Sequence, residues 1–114
     1  DANATDVGDL TVSRYGSAGQ SSTTHGYTSG GVAPPNLDVI DKFPFASAGN
    51  ATDVGDLTAA KRGLVGQSST THGYSSGGRP FTNVNEKFPF TSDDNATDVG
   101  DLTLDREYVA GQQY

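Results

Sequence analysis

Two histidines are the first side chains in this sequence that could carry chemistry. His25 and His72 occupy equivalent places in the tripeptide His-Gly-Tyr, so together they could supply two nitrogen ligands to a metal. Neither histidine has a carboxylate at a fixed short spacing. We therefore favour a local hydrogen bond for each imidazole, and we predict no metal and no cofactor.

A nonamer rich in oxygen-bearing side chains offers a second candidate metal site. The sequence Asn-Ala-Thr-Asp-Val-Gly-Asp-Leu-Thr occurs at residues 3–11, 50–58 and 95–103, here called the first, second and third nonamers. Its oxygens lie at the short intervals of a calcium loop, but Ala48 replaces the preceding aspartate in the middle copy and the glycine is displaced. The favoured interpretation is a turn in which Asn and Asp side chains cap backbone amides.

Each nonamer begins with Asn-Ala-Thr, the acceptor sequence for N-linked glycosylation. Asn3, Asn50 and Asn95 are therefore candidate glycosylation sites, one in each copy. The alternative is that the triplet was copied together with the turn when the repeat was duplicated. Both interpretations fit the sequence.

Serines lie near both histidines, at residues 21–24 and 68–71. A serine hydrolase needs a nucleophile held by a specific turn, a histidine base and an acid that orients it. Neither run has the Gly-x-Ser-x-Gly pattern of such a turn, and the Gly-Gly pairs lack the lysine and helix of a phosphate loop. Ser and Thr here are typical of a strand with small side chains, so we predict that the chain is not an enzyme.

Composition narrows the partners that the chain could bind. A net charge of −7 disfavours nucleic acid and anionic membranes, which require a basic surface. There is no cysteine for a disulfide or a thiolate metal site, and no apolar run is long enough for a transmembrane helix. Val, Leu, Ile and Phe make up 21 of the 114 residues, so one unit can build only a thin core.

The elements that position these residues follow from an internal repeat. Besides the nonamer, a block beginning Gly-Gln-Ser-Ser-Thr-Thr-His-Gly-Tyr starts at residues 19 and 66, and Lys-Phe-Pro-Phe occurs at 42–45 and 87–90. Successive nonamers are 47 and 45 residues apart, a period typical of propellers, solenoids and linear arrays.

The difference between the two spacings falls in the segment before Lys-Phe-Pro-Phe, which also varies in sequence. Variable loops on a constant scaffold are where binding specificity is usually found. Tyrosines beside these loops could stack on sugar rings or lie in the core. The candidate binding residues are Tyr27, Asn36, Tyr74, Arg79, Phe81 and Asn83.

Each unit is predicted to form four short antiparallel strands. Gly, Pro, Asn or Asp interrupts it roughly every eight to twelve residues, and no segment carries apolar residues at helical spacing over three turns. The predicted strands are residues 15–22, 24–29, 39–45 and 54–59, with equivalents at 63–69, 71–76, 84–90 and 99–104. The predicted fold class is therefore all-β.

The order of these features resembles a Kelch-type blade. A basic residue precedes a strand of small residues, an aromatic precedes each Gly-Gly pair, and an aromatic strand follows the variable loop. The resemblance implies four-stranded antiparallel blades of a β-propeller. The family carries a tryptophan in its last strand, and this chain has none. The basic residues are Arg14, Lys61 and Arg106, and leucine takes the tryptophan place at Leu10, Leu57 and Leu102.

The resemblance divides the chain into about two and a half blades. Residues 1–14 would be the last strand of a preceding blade, 15–61 and 62–106 two blade repeats, and 107–114 the first strand of a following blade. A ring needs about four to eight blades, and a repeat cannot bury its apolar face alone. We therefore expect the ring to be completed by other copies of the chain or by neighbouring repeats of a longer parent.

The near-identical units also resemble repetitive proteins predicted from environmental bacteriophages, which are treated as virion or fibre components. That resemblance implies a structural and binding module of a virion appendage, located in the virion or outside the cell. Its expected partners are copies of itself and a surface glycan. The alternative is a subunit of an extracellular fibril glycosylated at the Asn-Ala-Thr sites.

Overall fold

The computed structural model describes residues 3–80 and 82–103, and these residues form an all-β structure without a helix. Antiparallel strands pair in chain order into two four-stranded sheets, which confirms the predicted fold class. The first sheet comprises β1 (Ala18–Ser21), β2 (His25–Ser29), β3 (Val39–Pro44) and β4 (Thr52–Asp56). The second sheet comprises β5 (Val65–Ser68), β6 (His72–Ser76), β7 (Val84–Pro89) and β8 (Thr97–Asp101). The strand expected over 107–114 lies outside the described residues.

The fourth strand of each sheet begins and ends earlier than the sequence predicts. A register shift between Ile40 and Asp41 lets β3 bond the start of the second nonamer, where Lys42 lies opposite Thr52. One residue beyond β4, the Leu57 N–H donates to the carbonyl of Asp38, which lies opposite it in the same register. The second sheet has the same shift between Asn85 and Glu86, so the bulge belongs to the repeat.

The two sheets approach closely along their first strands. β1 lies against β5, and a Cβ on Gly66 would overlap the carbonyl group of Gly19. A side chain larger than hydrogen at residue 66 would therefore push the sheets apart. Glycine is required here by backbone contact between two sheets.

The hydrophobic core lies between the sheets and draws residues from both. Tyr27 of the first sheet stacks on Phe90 of the second, with ring centroids 4.9 Å apart, and tilts against Phe88 at 5.5 Å. Such aromatic pairs add stabilisation beyond the apolar area that they bury. The remaining members of this cluster are Ala18, Ile40, Leu57, Leu64 and Ala96.

A buried ion pair attaches each sheet to the segment that enters it. In the first sheet, Arg14 Nη2 lies 2.8 Å from Asp41 Oδ2 on β3, and both side chains are fully buried. Thr11 donates its backbone N–H and its hydroxyl to the same carboxylate, each at 2.8 Å. Arg14 also donates to the carbonyls of Gly30 and Val39 at 3.2 Å.

The second sheet repeats this arrangement with different side chains. Lys61 donates to Glu86 on β7, and Thr58 donates its N–H at 3.0 Å and its hydroxyl at 2.8 Å. The shorter lysine side chain therefore pairs with the longer glutamate, whereas the longer arginine side chain pairs with the shorter aspartate. The two pairs span the same gap with the side-chain lengths exchanged.

We predict that the lengths of the two partners are coupled. Lys61→Ala leaves the Glu86 carboxylate buried without its cation and should lower the free energy of unfolding by about 3–5 kcal/mol. Glu86→Asp or Lys61→Arg alone should each destabilise, while the two together should recover most of the loss. Urea unfolding of the four variants measures this coupling, and strictly additive effects would contradict it.

Candidate functional site

The residues on both sides of the contact between the sheets have sequence equivalents elsewhere in the molecule. Phe43 and Phe45 of the first sheet are the sequence equivalents of Phe88 and Phe90, and Tyr74 of the second sheet is the equivalent of Tyr27. Phe45 is 56% exposed, and Tyr74 is half-buried. We call the side of the first sheet that carries Phe43 and Phe45 the phenylalanine face. The side of the second sheet that carries Tyr74 is the tyrosine face.

An apolar groove borders the phenylalanine face. Val7 and Leu10 of the first nonamer form one wall, and Phe43 and Pro44 of β3 form the other. Its volume is about 180 Å³. Val7 is 60% exposed, so the groove presents apolar surface to solvent.

The first and second nonamers make equivalent contacts with the unit that follows each of them. Gly49 N–H donates to the Val7 carbonyl at 2.7 Å, and Ala51 N–H donates to the Asp9 carbonyl at 2.8 Å. Ala96 N–H donates in the same way to the Asp56 carbonyl at 2.8 Å. The nonamer is therefore a contact element between units.

The candidate glycosylation sites take part in these contacts. Asn50 Oδ1 accepts the Asp9 N–H at 3.0 Å, and Asn95 Oδ1 accepts the Asp56 N–H at 2.9 Å. Both side chains, and that of Asn3, are exposed. The asparagines of the second and third nonamers thus have a structural role that accounts for the repetition of this residue, whether or not a glycan is attached.

A buried polar network joins the first strands of the two sheets. Gln20 Nε2 donates to the hydroxyls of Ser29 and Ser75 at 2.9 Å and to the Tyr74 carbonyl at 3.0 Å. The two hydroxyls lie 2.9 Å from each other, and Ser68 Oγ accepts the Ser21 N–H at 3.0 Å. Small hydroxylated residues let the strands approach while their polar groups remain bonded.

The histidines are the first residues of the second strand of each sheet, directly after the turn. His25 Nδ1 lies 2.8 Å from the Thr24 hydroxyl, and His72 Nδ1 lies 2.8 Å from the Thr71 hydroxyl. Their backbone N–H groups donate to Ser22 and Ser69. These are the local hydrogen bonds that the sequence favoured.

The aspartates of the nonamers cap backbone amides. Oδ1 of the first aspartate in each nonamer accepts the N–H of the glycine two residues later, at 3.0–3.1 Å. In residues 3–80 and 82–103, no group of three or more His, Asp or Glu is placed to hold a metal ion. The aspartates concerned are Asp6, Asp53 and Asp98.

The predicted loop residues do not form one cluster. Asn36 Nδ2 donates to the Arg79 carbonyl at 3.4 Å, so the two variable loops lie side by side. Asn83 is half-buried, and its carbonyl accepts the Leu102 N–H. Tyr27 is only 4% exposed and belongs to the core, which was the alternative to sugar stacking. Phe81 lies outside the described residues.

Burial also acts on two acidic groups. It raises the pKa of the Tyr27 hydroxyl above its ordinary value, and the positive charge of Lys42 offsets part of that rise. Burial raises the pKa of Asp56 as well, and the negative charges of Asp38 and Asp53 add to the effect.

Sequence reasoning missed the acidic partners of Arg14 and Lys61 and the network around Gln20. A signal for the ion pairs is nevertheless present in the sequence. The unit that has arginine at residue 14 has aspartate at 41, and the unit that has lysine at residue 61 has glutamate at 86.

No protein-family model and no curated protein sequence matches the chain. Among the described residues, no helix is long and apolar enough to cross a membrane.

We predict that Gln20 contributes far more to the free energy of unfolding than Gln67, its equivalent on the tyrosine face. Gln20→Ala leaves the Ser29 and Ser75 hydroxyls and the Tyr74 carbonyl without their common donor, at a cost of roughly 1–3 kcal/mol in the free energy of unfolding. The control is Gln67→Ala, at a half-buried residue, which should cost less than about 0.5 kcal/mol. Urea unfolding at low protein concentration measures both variants. Equal losses of unfolding free energy would contradict this role of Gln20.

We predict an alkaline loss of stability through Tyr27. The unfolded chain releases the tyrosine proton at a pH of about 10, whereas burial raises the folded pKa above that value. The stabilisation is therefore complete below the unfolded pKa and is lost as the pH rises through the folded pKa. Tyr27→Phe should flatten the fall in unfolding free energy above pH 10. A fall as steep as that of the unaltered chain would contradict the assignment.

Proposed function

We propose that this chain is a non-enzymatic structural and binding module whose two sheets are neighbouring blades of a Kelch-like β-propeller. The observation that carries the proposal is the contact between the sheets, in which Tyr27 meets Phe88 and Phe90. The phenylalanine face and the tyrosine face carry the same residue types without a described partner. A contact built from repeated residues can continue in the same sense from one unit to the next.

The packing of first strand on first strand supports a radial arrangement of blades. β1 and β5 meet through glycine and serine, and this is the crowded side on which small residues are needed. Of the leucines in the tryptophan place of the family, Leu57 is buried and belongs to the core between the sheets. A leucine there fills part of the volume that the family fills with an indole ring.

The proposed setting is a virion appendage, such as a tail or fibre, outside the cell. Support comes from the repeat style of the sequence and from an acidic chain that disfavours nucleic acid as a ligand. The adjoining loops that carry Asn36 and Arg79 are the proposed place for a surface glycan, because they vary between units while the sheets do not. Partners for the sheets are further units of the same kind.

We predict discrete assemblies larger than one chain. Native mass spectrometry over a concentration series should give multiples of 11.8 kDa, and negative-stain images should show closed rings or knobs. Continuous threads would instead support the fibril alternative, and added hexose masses would support its glycosylation. A stable monomer at all concentrations would contradict the assembly.

A further inference from the structure

The three identical nonamers occupy three different surroundings. The second nonamer contains β4, which pairs with β3 of its own sheet and also contacts the following unit through residues 94–96. The third nonamer contains β8, which pairs with β7. The first nonamer contacts residues 49–51 but pairs with no strand of the two described sheets. The second nonamer alone makes both kinds of contact within the described residues.

The glycines of the nonamers show the same difference. A Cβ on Gly8 would overlap the Gly49 carbonyl, and a Cβ on Gly55 would lie 2.6 Å from the Asp94 carbonyl oxygen. A Cβ on Gly100 would have no atom within 4 Å, although its φ of +150° matches that of the other two. The backbone of β8 thus has the same form as that of the other two nonamers, but it makes no such contact with the described residues.

The valines of the nonamers agree with this difference. Val54 packs against the core cluster between the sheets, whereas Val99 is 46% exposed and Val7 is 60% exposed. The second nonamer therefore shows what the other two lack. Within residues 3–80 and 82–103, no strand pairs with the first nonamer and no later segment contacts the third.

We propose that β8 of one copy of this chain docks on residues 49–51 of a second copy and displaces residues 3–9 of that copy's first nonamer, while Thr11 stays on Asp41. The inference rests on the proposed function, because it assigns the contact through which blades of separate chains would meet. The phenylalanine face of the second copy then packs on the tyrosine face of the first. Its Phe43 and Phe45 would surround Tyr74 as Phe88 and Phe90 surround Tyr27.

The exchange of nonamers is balanced in hydrogen bonds. Displacing residues 3–9 breaks the bonds that Val7 and Asp9 make with residues 49–51. The bonds of Thr11 to Asp41 lie outside the displaced segment and are kept. The third nonamer has the same sequence and offers the same groups at Val99 and Asp101. The driving force is therefore the added burial of Val99, Phe45 and Tyr74. The first nonamer acts as an internal competitor that keeps the contact weak in dilute solution.

Two matched substitutions test the exchange by sedimentation velocity over a concentration series. Val99→Lys places a charge in the proposed contact and should raise the dissociation constant more than tenfold. Val7→Lys makes the identical change in a segment that leaves the contact, so association should be unchanged or stronger. Both valines are exposed in the single chain, and circular dichroism should confirm that both variants fold.

A second pair of variants tests the same contact through the backbone. Gly8→Ala should weaken the competitor, because its Cβ overlaps the Gly49 carbonyl, and should lower the dissociation constant several-fold. Gly100→Ala should raise the dissociation constant, because it makes the same change in the segment that docks. If both lysine variants associate equally weakly, the first nonamer stays in place and the exchange is wrong, while assembly itself stands. If the unaltered chain does not associate, both the exchange and the proposed assembly are wrong.

Discussion

A buried carboxylate on the third strand of each sheet organises the way in which the chain passes from one unit to the next. Asp41 and Glu86 are both completely shielded from water, and each would be costly to bury without a cation. A threonine at the end of the preceding nonamer and a cation three residues later donate to this carboxylate. Because the carboxylate needs these donors, the entering segment is held at one place on the sheet.

Fixing that segment also fixes how neighbouring sheets meet. The nonamer ends at Thr11 or Thr58, and the first strand of the next sheet begins a few residues after the cation. The ion pair of the first sheet therefore sets the position of β1 relative to the preceding nonamer. The ion pair of the second sheet sets the position of β5 relative to β4 in the same way. The close approach of residues 19 and 66 and the stacking of Tyr27 on Phe90 then hold the two sheets together.

The sequence predicted the eight strands because Gly, Pro, Asn and Asp punctuate each unit at strand intervals. It placed the start of the fourth strand too late, because the bulge before Asp41 depends on pairing across strands that spacing along the chain does not show. It also could not decide whether Tyr27 lies in the core or on the surface, since the residues that bury Tyr27 belong to the other unit. Gln20 was missed for the same reason, because a polar residue in a short strand looks ordinary until the second sheet covers it.

The exchanged lengths of the two ion pairs have a consequence for how such genes can recombine. The cation and its acid are 27 residues apart in one unit and 25 in the other. A crossover between units that falls inside this interval would join arginine to glutamate or lysine to aspartate, giving a pair too long or too short for its buried site. Crossovers within the nonamer keep each pair intact. The nonamer is therefore the point at which units can be gained or lost with least damage, and its identical sequence in all three copies is suited to that exchange.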